Sequence, residues 1–156
     1  MLLIRQAAVY APEYLGVRDV LVCGGVIEAV EEQIEGELPF CKVIDGRGKK
    51  LTPGFIDPHV HITGGGGEGS FHTQVPPVKL SELLQGGVTS LVGLLGTDGI
   101  SRNMESLLAR AKALKEEGLT VYLCTGSYGY PSVTLTGDIR KDIMFVEEII
   151  GVKLAL

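Results

Sequence analysis

The chain has 156 residues, of which 45% are hydrophobic and 21% are charged, a composition that is ordinary for a globular protein and excludes a disordered chain. Fourteen basic residues against nineteen acidic ones give a formal net charge of −5, which disfavours binding to nucleic acid or to an anionic membrane. The three cysteines form no C-x-x-C pair and no apolar run approaches the roughly 18 residues of a membrane span, so we expect a cytoplasmic protein without disulfides.

Residues 1–53 contain short apolar runs separated by turn signals. The Gly24-Gly25 pair between two of these runs predicts a two-residue hairpin turn. We therefore predict a small, incomplete β domain over residues 1–53, built as an antiparallel unit. The runs are LLIRQAAVYA, VRDVLVC, VIEAVEE and CKVIDG.

Residues 54–156 alternate between the patterns of buried strands and of amphipathic helices, which is typical of βαβ units and a parallel sheet. The first helix, KLSELLQ, should end at Gly86-Gly87. The second should begin near Ser101 and stop at Gly118, with an apolar stripe that includes Ile100, and the third should be capped by Asp138 and run to Gly151. The predicted strands are GFIDPHVHI, VTSLVGLL, LTVYLC and VKLAL.

Four strands alternating with three helices fit either a doubly wound sheet or a (β/α)8 barrel, and a full barrel takes about 250 residues. The chain therefore covers about half of a barrel. A parallel sheet that ends on a strand leaves an edge unpaired, so we expect the chain to be a fragment or to be completed by another element.

His59 and His61 are separated by one residue in the first predicted strand of this second region. In a strand this spacing points both side chains to one face, about 6.6 Å apart along the chain, so that two imidazoles can meet one metal ion. The alternative is that one or both histidines form hydrogen bonds inside the core. The position at the carboxyl end of a barrel strand, where barrel active sites are built, favours the metal site.

Lys153 lies in the last predicted strand among apolar residues. A buried ammonium group is costly unless it is paired or neutralised. Lys153 is therefore either exposed at the end of the sheet or carbamylated by carbon dioxide, which would make it a carboxylate-like ligand able to bridge two metal ions.

The segment 64–69 satisfies G-x-G-x-x-G directly after a strand, but a run of glycines matches that pattern by low complexity. Pro76 and Pro77 intervene before the next helix, so we reject a dinucleotide site. The loop is better suited to a close approach between backbone and a small ligand, with Glu68 as its one charge. Tyr128 and Tyr130 follow the third strand of this region on the same rim, where a tyrosine can donate to a developing oxyanion.

The segment GFIDPHVH resembles the first barrel strand of the amidohydrolase superfamily, which often places a small β domain before its barrel. Within that superfamily the chain is similar to the isoaspartyl dipeptidase family over essentially its whole length. The resemblance implies a small N-terminal β-sandwich-type domain over residues 1–53, and the first four strands and three helices of a (β/α)8 TIM barrel over residues 54–156. The similar segments are GFIDPHVHITGGGGEG, GVTSLVGLLGTDGISR, ESLLARAKALKEEGL, TGSYGYPS and IGVKLAL.

The same resemblance implies zinc-dependent hydrolysis of β-aspartyl dipeptides by a hydroxide that bridges two zinc ions. His59 and His61 would bind one zinc, and carbamylated Lys153 would bridge both. Tyr128 would polarise the scissile carbonyl as the catalytic residue. By the same resemblance the substrate-binding residues are Glu68, for the α-ammonium group, and Gly66 and Thr97, from the loops.

The family takes two further histidine ligands, a catalytic aspartate and other substrate-binding residues from the second half of its barrel. We therefore expect this chain to be inactive alone, to need that half in the same or another polypeptide, and to form a homo-oligomer. Another amidohydrolase, such as a dihydroorotase-like or N-acyl amino acid hydrolase, and a non-catalytic half barrel are the alternatives. Glu68 favours the dipeptidase, because a carboxylate suits a free α-ammonium group.

Overall fold

The computed structural model describes residues 1–36 and 38–155 and shows a mixed α/β chain. The chain divides into two compact units, Met1–Pro53 (unit 1) and Gly54–Leu156 (unit 2), each with its own hydrophobic core. None of the described helices is long and apolar enough to cross a membrane.

Unit 1 is one five-stranded sheet in the order β3-β2-β1-β4, with β5 also pairing with β1. Its core residues are Ala7, Val9 and Val20. No second sheet is present in the described part of this unit, so a sandwich is not seen there. The strands are β1 (Leu2–Tyr10), β2 (Tyr14–Cys23), β3 (Val26–Glu31), β4 (Lys42–Asp45) and β5 (Lys50–Leu51).

The pairing of these strands confirms one prediction and corrects another. The antiparallel hairpin of β2 and β3 turns at Gly24 and Gly25, whose φ angles of 57° and 84° are the positive values that such a two-residue turn requires. The antiparallel prediction was wrong for the last strands, because β4 and β5 pair with β1 in parallel. β4 lies beside β1, separated from β3 by two strands, whereas a tight hairpin would have placed β4 beside β3.

Unit 2 is built on a parallel four-stranded sheet in the order β11-β10-β9-β6, which is open rather than closed in the described residues. A two-stranded ribbon, β7 with β8, stands apart from this sheet and encloses a short 3-10 helix, Phe71–Thr73. The strands are β6 (Phe55–Val60), β7 (Gly65–Gly66), β8 (Gln74–Val75), β9 (Val88–Gly93), β10 (Thr120–Thr125) and β11 (Ile149–Val152). The helices are α1 (Leu80–Gln85), α2 (Met104–Glu116) and α3 (Ile139–Phe145).

The core of unit 2 lies between the sheet and its helices, and α2 contributes the largest share. The predicted stripe of α2 is buried at each of its positions from Met104 to Leu114 except Leu108, which packs against the core from a half-buried position. Ile100 is an exception, since it precedes the helix and is 96% exposed. The helix starts later than predicted because the Asn103 side chain caps it, accepting a 2.9 Å hydrogen bond from the Ser106 backbone amide.

The third predicted helix is shorter than expected. Asp138 does cap α3, but the helix ends at Phe145, and Val146 already has extended backbone angles. The segment from Ile149 enters β11 instead, so that the last strand begins earlier than predicted and Lys153 follows it rather than lying within it. β-branched residues at this point fit the pleated sheet better than a helix.

Candidate functional site

The carboxyl ends of the four parallel strands of unit 2 meet at one edge of the sheet, and all seven predicted site residues lie there. His59 is the penultimate residue of β6, and His61 follows directly after that strand. Thr97 follows β9, Tyr128 follows β10 and Lys153 follows β11. The ribbon of β7 and β8 brings the remaining two residues, Gly66 and Glu68, to the same edge. Together they line one cavity of about 330 Å³, whose walls are His59, His61, Gly66, Glu68, Gly96, Thr97, Tyr128 and Lys153.

The two histidine rings face the same side, as the alternation of a strand predicts. Their centroids are 5.3 Å apart and the rings are nearly perpendicular, with an interplanar angle of 89°. The His59 side chain is exposed and that of His61 is half-buried. The backbone between them is anchored by Asp57, whose carboxylate accepts a 3.1 Å hydrogen bond from the His59 amide.

His61 is held in one orientation by its surroundings. Its Nδ1 lies 3.1 Å from the carbonyl oxygen of Leu94. Because a carbonyl can only accept, this contact assigns the proton to Nδ1 and leaves the Nε2 lone pair of the neutral ring free. Gly65 and Gly96 flank the ring so closely that a Cβ at either would lie 3.3 Å from it. A side chain at either position would require the imidazole to shift by a few tenths of an ångström.

Lys153 reaches the cavity because the chain makes a close approach between two strand ends. Its backbone amide donates a 2.6 Å hydrogen bond to the Thr125 carbonyl. Gly126 has a φ of +96°, and a Cβ there would lie 2.5 Å from the Lys153 carbonyl oxygen, so only glycine fits. The Lys153 Nζ lies 5.6 Å from the centroid of the Tyr128 ring and forms no ion pair with any described residue.

Glu68 and Thr97 come together from two loops. Glu68 belongs to the glycine-rich loop (residues 63–75), and Thr97 to the β9–α2 loop (residues 94–103). The Thr97 hydroxyl donates a 2.7 Å hydrogen bond to the Glu68 carboxylate. This bond, aided by the nearby guanidinium of Arg102, lowers the pKa of Glu68 below its ordinary value. The rim of the cavity therefore carries a carboxylate that stays ionised at neutral pH.

These residues fit part of a zinc site. His59 and His61 present two imidazoles from one strand end, and the glycine cradle around His61 holds a ring with a free Nε2. The described residues contain no cluster of three or more His, Cys, Asp or Glu that could hold a metal ion. A third ligand from this group would have to be Lys153, which has a lone pair only when it is neutral and carboxylate oxygens only when it is carbamylated.

Sequence reasoning missed three contributors to this site. Gly96 lies against His61, the backbone carbonyl of Leu94 accepts a hydrogen bond from that ring, and Arg102 contacts both loops of the rim. A backbone acceptor leaves no signal in a sequence. Gly96 and Arg102 stand in GLLGTDGISR, a segment that had carried only the family resemblance.

Two crystal structures give the chain a clear relative, although no protein-family model matches it. A β-aspartyl dipeptidase of Fervidobacterium islandicum AW-1 is 47% identical, with a TM-score of 0.93, over 99% of this chain and 43% of its own. The chain resembles β-aspartyl dipeptidase, of the amidohydrolase superfamily. A second structure from that organism, in complex with the β-Asp-Leu dipeptide, gives a TM-score of 0.89 at 47% identity over 97% of this chain and 40% of its own. The resemblance expected from the sequence is confirmed.

Curated relatives are hydrolases of the same superfamily. A dihydroorotase of Listeria monocytogenes serovar 1/2a is 28% identical over 144 residues, which are 88% of this chain and 33% of that enzyme. A dihydroorotase of Elusimicrobium minutum is 36% identical over 98 residues, 62% of this chain and 22% of the enzyme. The chain thus spans about a third of the first of these relatives, and about two fifths of the β-aspartyl dipeptidases.

Proposed function

We propose that this chain is the N-terminal part of a zinc-dependent enzyme that hydrolyses β-aspartyl dipeptides. In this proposal the open parallel sheet is the first half of a (β/α)8 barrel, and residues 1–53 belong to a β-sandwich-type domain. The observation that carries the proposal is the cavity at the strand ends. Its walls combine two histidines, a lysine, a tyrosine and an ionised carboxylate in a chain that is 47% identical to β-aspartyl dipeptidase.

The metal would be held by His59 and His61 through nitrogen, and by Lys153 after carbamylation. The hydrogen bond of His61 to Leu94 would keep Nε2 of that ring available as the ligand. Bound zinc would act as a Lewis acid and lower the pKa of water, which supplies the nucleophile for amide hydrolysis. Zinc usually takes four ligands, so these residues need partners from the remaining part of the barrel.

The other residues of the cavity would bind and orient the dipeptide. The Tyr128 hydroxyl would donate a hydrogen bond to the oxygen of the scissile carbonyl and stabilise the negative charge that develops there. Glu68 would bind the α-ammonium group through a charge-assisted hydrogen bond, with Thr97 fixing the carboxylate. Gly66 and Thr97 would contact the substrate from the two loops.

A dihydroorotase-like activity is the second candidate, because curated relatives carry that name. Dihydroorotate is a cyclic amide without a free α-ammonium group, so it offers Glu68 no cation. An exposed, ionised carboxylate at the rim fits a free dipeptide better than an N-blocked substrate.

The complete enzyme would need the second half of the barrel, supplied by the same or another polypeptide. The edges of β6 and β11 are unpaired within the described residues, where further strands would continue the sheet. We propose that the enzyme is a cytoplasmic homo-oligomer that acts on a small dipeptide and binds neither nucleic acid nor membranes.

The proposal is tested by assaying the complete native polypeptide against β-Asp-Leu, α-Asp-Leu and dihydroorotate. Of these three substrates we expect only β-Asp-Leu to be hydrolysed. Removal of bound metal by a chelator should abolish this activity, and added zinc should restore it. Hydrolysis of dihydroorotate in place of β-Asp-Leu would support the second candidate. Hydrolysis of β-Asp-Leu by residues 1–156 alone would show that no further ligands are needed and would overturn the half-barrel account.

A further inference from the structure

Arg102 lies near the end of the β9–α2 loop, and its side chain makes three contacts with the rim of the cavity. Its Nε donates to the Thr63 carbonyl at 3.1 Å, one terminal nitrogen donates to the Val75 carbonyl at 3.2 Å, and the other lies 3.4 Å from the Asp98 carboxylate. The side chain of Arg102 is 13% exposed and that of Asp98 is 19% exposed. The guanidinium group is therefore largely screened from water by the backbone it binds.

The three acceptors belong to the two loops that meet at Glu68. Thr63 and Val75 are the first and last residues of the glycine-rich loop, which carries Glu68. Asp98 is the neighbour of Thr97 in the β9–α2 loop. One planar group thus fastens both ends of the first loop to the second, in addition to the hydrogen bond between Glu68 and Thr97.

The glycine-rich loop has few other restraints. Its ribbon consists of only two residue pairs, Gly65 with Val75 and Gly66 with Gln74. Glycine has the largest backbone freedom to lose on ordering, and a two-stranded ribbon of this length is not stable alone. Arg102 supplies a fork of donors at fixed angles, which a lysine cannot reproduce with its single flexible ammonium group.

We propose that Arg102 is a positioning residue that holds Glu68 against Thr97 and so keeps the α-ammonium subsite formed before substrate binds. This inference rests on the proposed function for the identity of the ligand. The fastening of the loop itself does not depend on it, so the two can be tested apart.

The first experiment measures hydrogen–deuterium exchange of residues 64–75 in the complete protein, comparing wild type with Arg102→Lys. We expect exchange in this segment to accelerate by about tenfold or more, because two carbonyl contacts of the loop are weakened. Arg110→Lys is the matched control, since Arg110 lies on α2 and donates to the Val78 carbonyl, outside the loop. Unchanged exchange in Arg102→Lys would overturn the proposal whether or not the protein hydrolyses dipeptides.

The second experiment measures the kinetics of the same variants with β-Asp-Leu. The α-ammonium subsite at Glu68 binds the substrate equally well in the ground state and in the transition state. Weaker binding at this subsite should therefore raise KM by about tenfold and leave kcat within about threefold. A merely structural role would reduce the active fraction, lowering kcat at constant KM, and that result would overturn the proposal. Accelerated exchange in Arg102→Lys, together with a wild-type protein that does not hydrolyse β-Asp-Leu, would instead count against the proposed function alone.

Asp98→Asn provides a second variant if Arg102→Lys does not fold. It removes the charge that meets Arg102 and leaves the two carbonyl contacts of the guanidinium in place. We expect a smaller change in the same direction, with faster exchange of residues 64–75 and a higher KM. Wild-type values for both measurements in a folded Asp98→Asn protein would contradict the role of this ion pair.

Discussion

The hydroxyl of Thr97 donates a 2.7 Å hydrogen bond to the carboxylate of Glu68, a residue that lies 29 positions earlier in the chain. This bond ties the glycine-rich loop to the β9–α2 loop on the rim of the cavity that also holds His59 and His61. It lowers the pKa of Glu68 and occupies one carboxylate oxygen. The other carboxylate oxygen can then accept a hydrogen bond from a cation bound in the cavity that the two histidines line.

Substitution of Glu68 by glutamine should weaken substrate binding while it preserves the local structure. The amide oxygen can still accept from Thr97, but the negative charge is lost, so the α-ammonium group of β-Asp-Leu loses a charge-assisted hydrogen bond. We expect KM to rise by about tenfold or more with kcat little changed, as steady-state kinetics would show. Glu105→Gln, an exposed position in the first turn of α2, is the control. Equal KM values for the two variants would remove Glu68 from the binding site.

The general arrangement of unit 2 could be predicted from the sequence because its signals are local. The apolar stripe of α2 repeats at helical spacing, and the runs that became β9 and β10 are bounded by glycines or by helix ends. His59 and His61 share a face because the period of a strand is two residues. These features depend on neighbours in the chain, which a sequence displays directly.

The features that could not be predicted depend on a side-chain cap, which a periodic pattern does not mark, or on partners far along the chain. Ile100 continued the helical pattern but lies outside α2, because the Asn103 cap stops the helix there. The third helix was predicted to run to Gly151, yet the pairing of β11 with β10 takes Ile149–Val152 into the sheet. The parallel placement of β4 beside β1 follows from a crossover that leaves no periodic signal.

Replacement of both His59 and His61 by alanine should remove at least one zinc ion from the complete protein. Among the described residues these are the only two histidines that line the cavity, and their loss leaves no imidazole ligand there. Metal content measured by mass spectrometry should fall by at least one zinc per chain. His72→Ala is the control, since the exposed His72 contacts Ser70 in the glycine-rich loop and does not line this cavity. Unchanged zinc content in the double variant would support a structural role for both histidines.

Asp142 should make a large contribution to the stability of unit 2. Its carboxylate is fully buried and accepts hydrogen bonds from the hydroxyls of Thr125 and Thr136, both at 2.6 Å, and from two backbone amides of residues 135–136. Asp142→Ala leaves these donors without an acceptor, at a cost of roughly 2 to 4 kcal/mol in the free energy of unfolding. Urea unfolding followed by circular dichroism would measure this loss of unfolding free energy. Asp45→Asn, at an exposed carboxylate of unit 1, is the control, and an equal small effect of both variants would contradict this prediction.

The contribution of Asp142 should also depend on pH. Burial acts to raise the pKa of this carboxyl, but the hydrogen bonds from Thr125 and Thr136 outweigh burial and hold the pKa below its ordinary value of 3.8. A group whose pKa is depressed on folding stabilises the protein fully above its unfolded value and loses that effect as pH falls through the folded one. The difference in unfolding free energy between wild type and Asp142→Asn should therefore be constant near neutral pH and shrink below about pH 4. If the difference in unfolding free energy instead grew on acidification, the pKa of Asp142 would be raised on folding rather than lowered.

Gly126 offers a test of how Lys153 is placed, because a second glycine in the chain separates strain from contact. Gly126 and Gly118 have similar φ angles of +96° and +101°, so alanine is strained equally at both. A Cβ at Gly118 meets nothing within 4 Å, whereas one at Gly126 would lie 2.5 Å from the Lys153 carbonyl oxygen.

Gly118→Ala should therefore cost only the backbone strain, about 1 kcal/mol, and keep full zinc content. Gly126→Ala should displace Lys153, and a lysine ligand moved by a fraction of an ångström no longer meets the metal held by the histidines. We expect this variant to lower the zinc content of the complete protein and to reduce kcat for β-Asp-Leu by at least about tenfold. If the two variants matched in zinc content and in kcat, the close approach at Gly126 would have no bearing on the site, and Lys153 would not be one of its ligands.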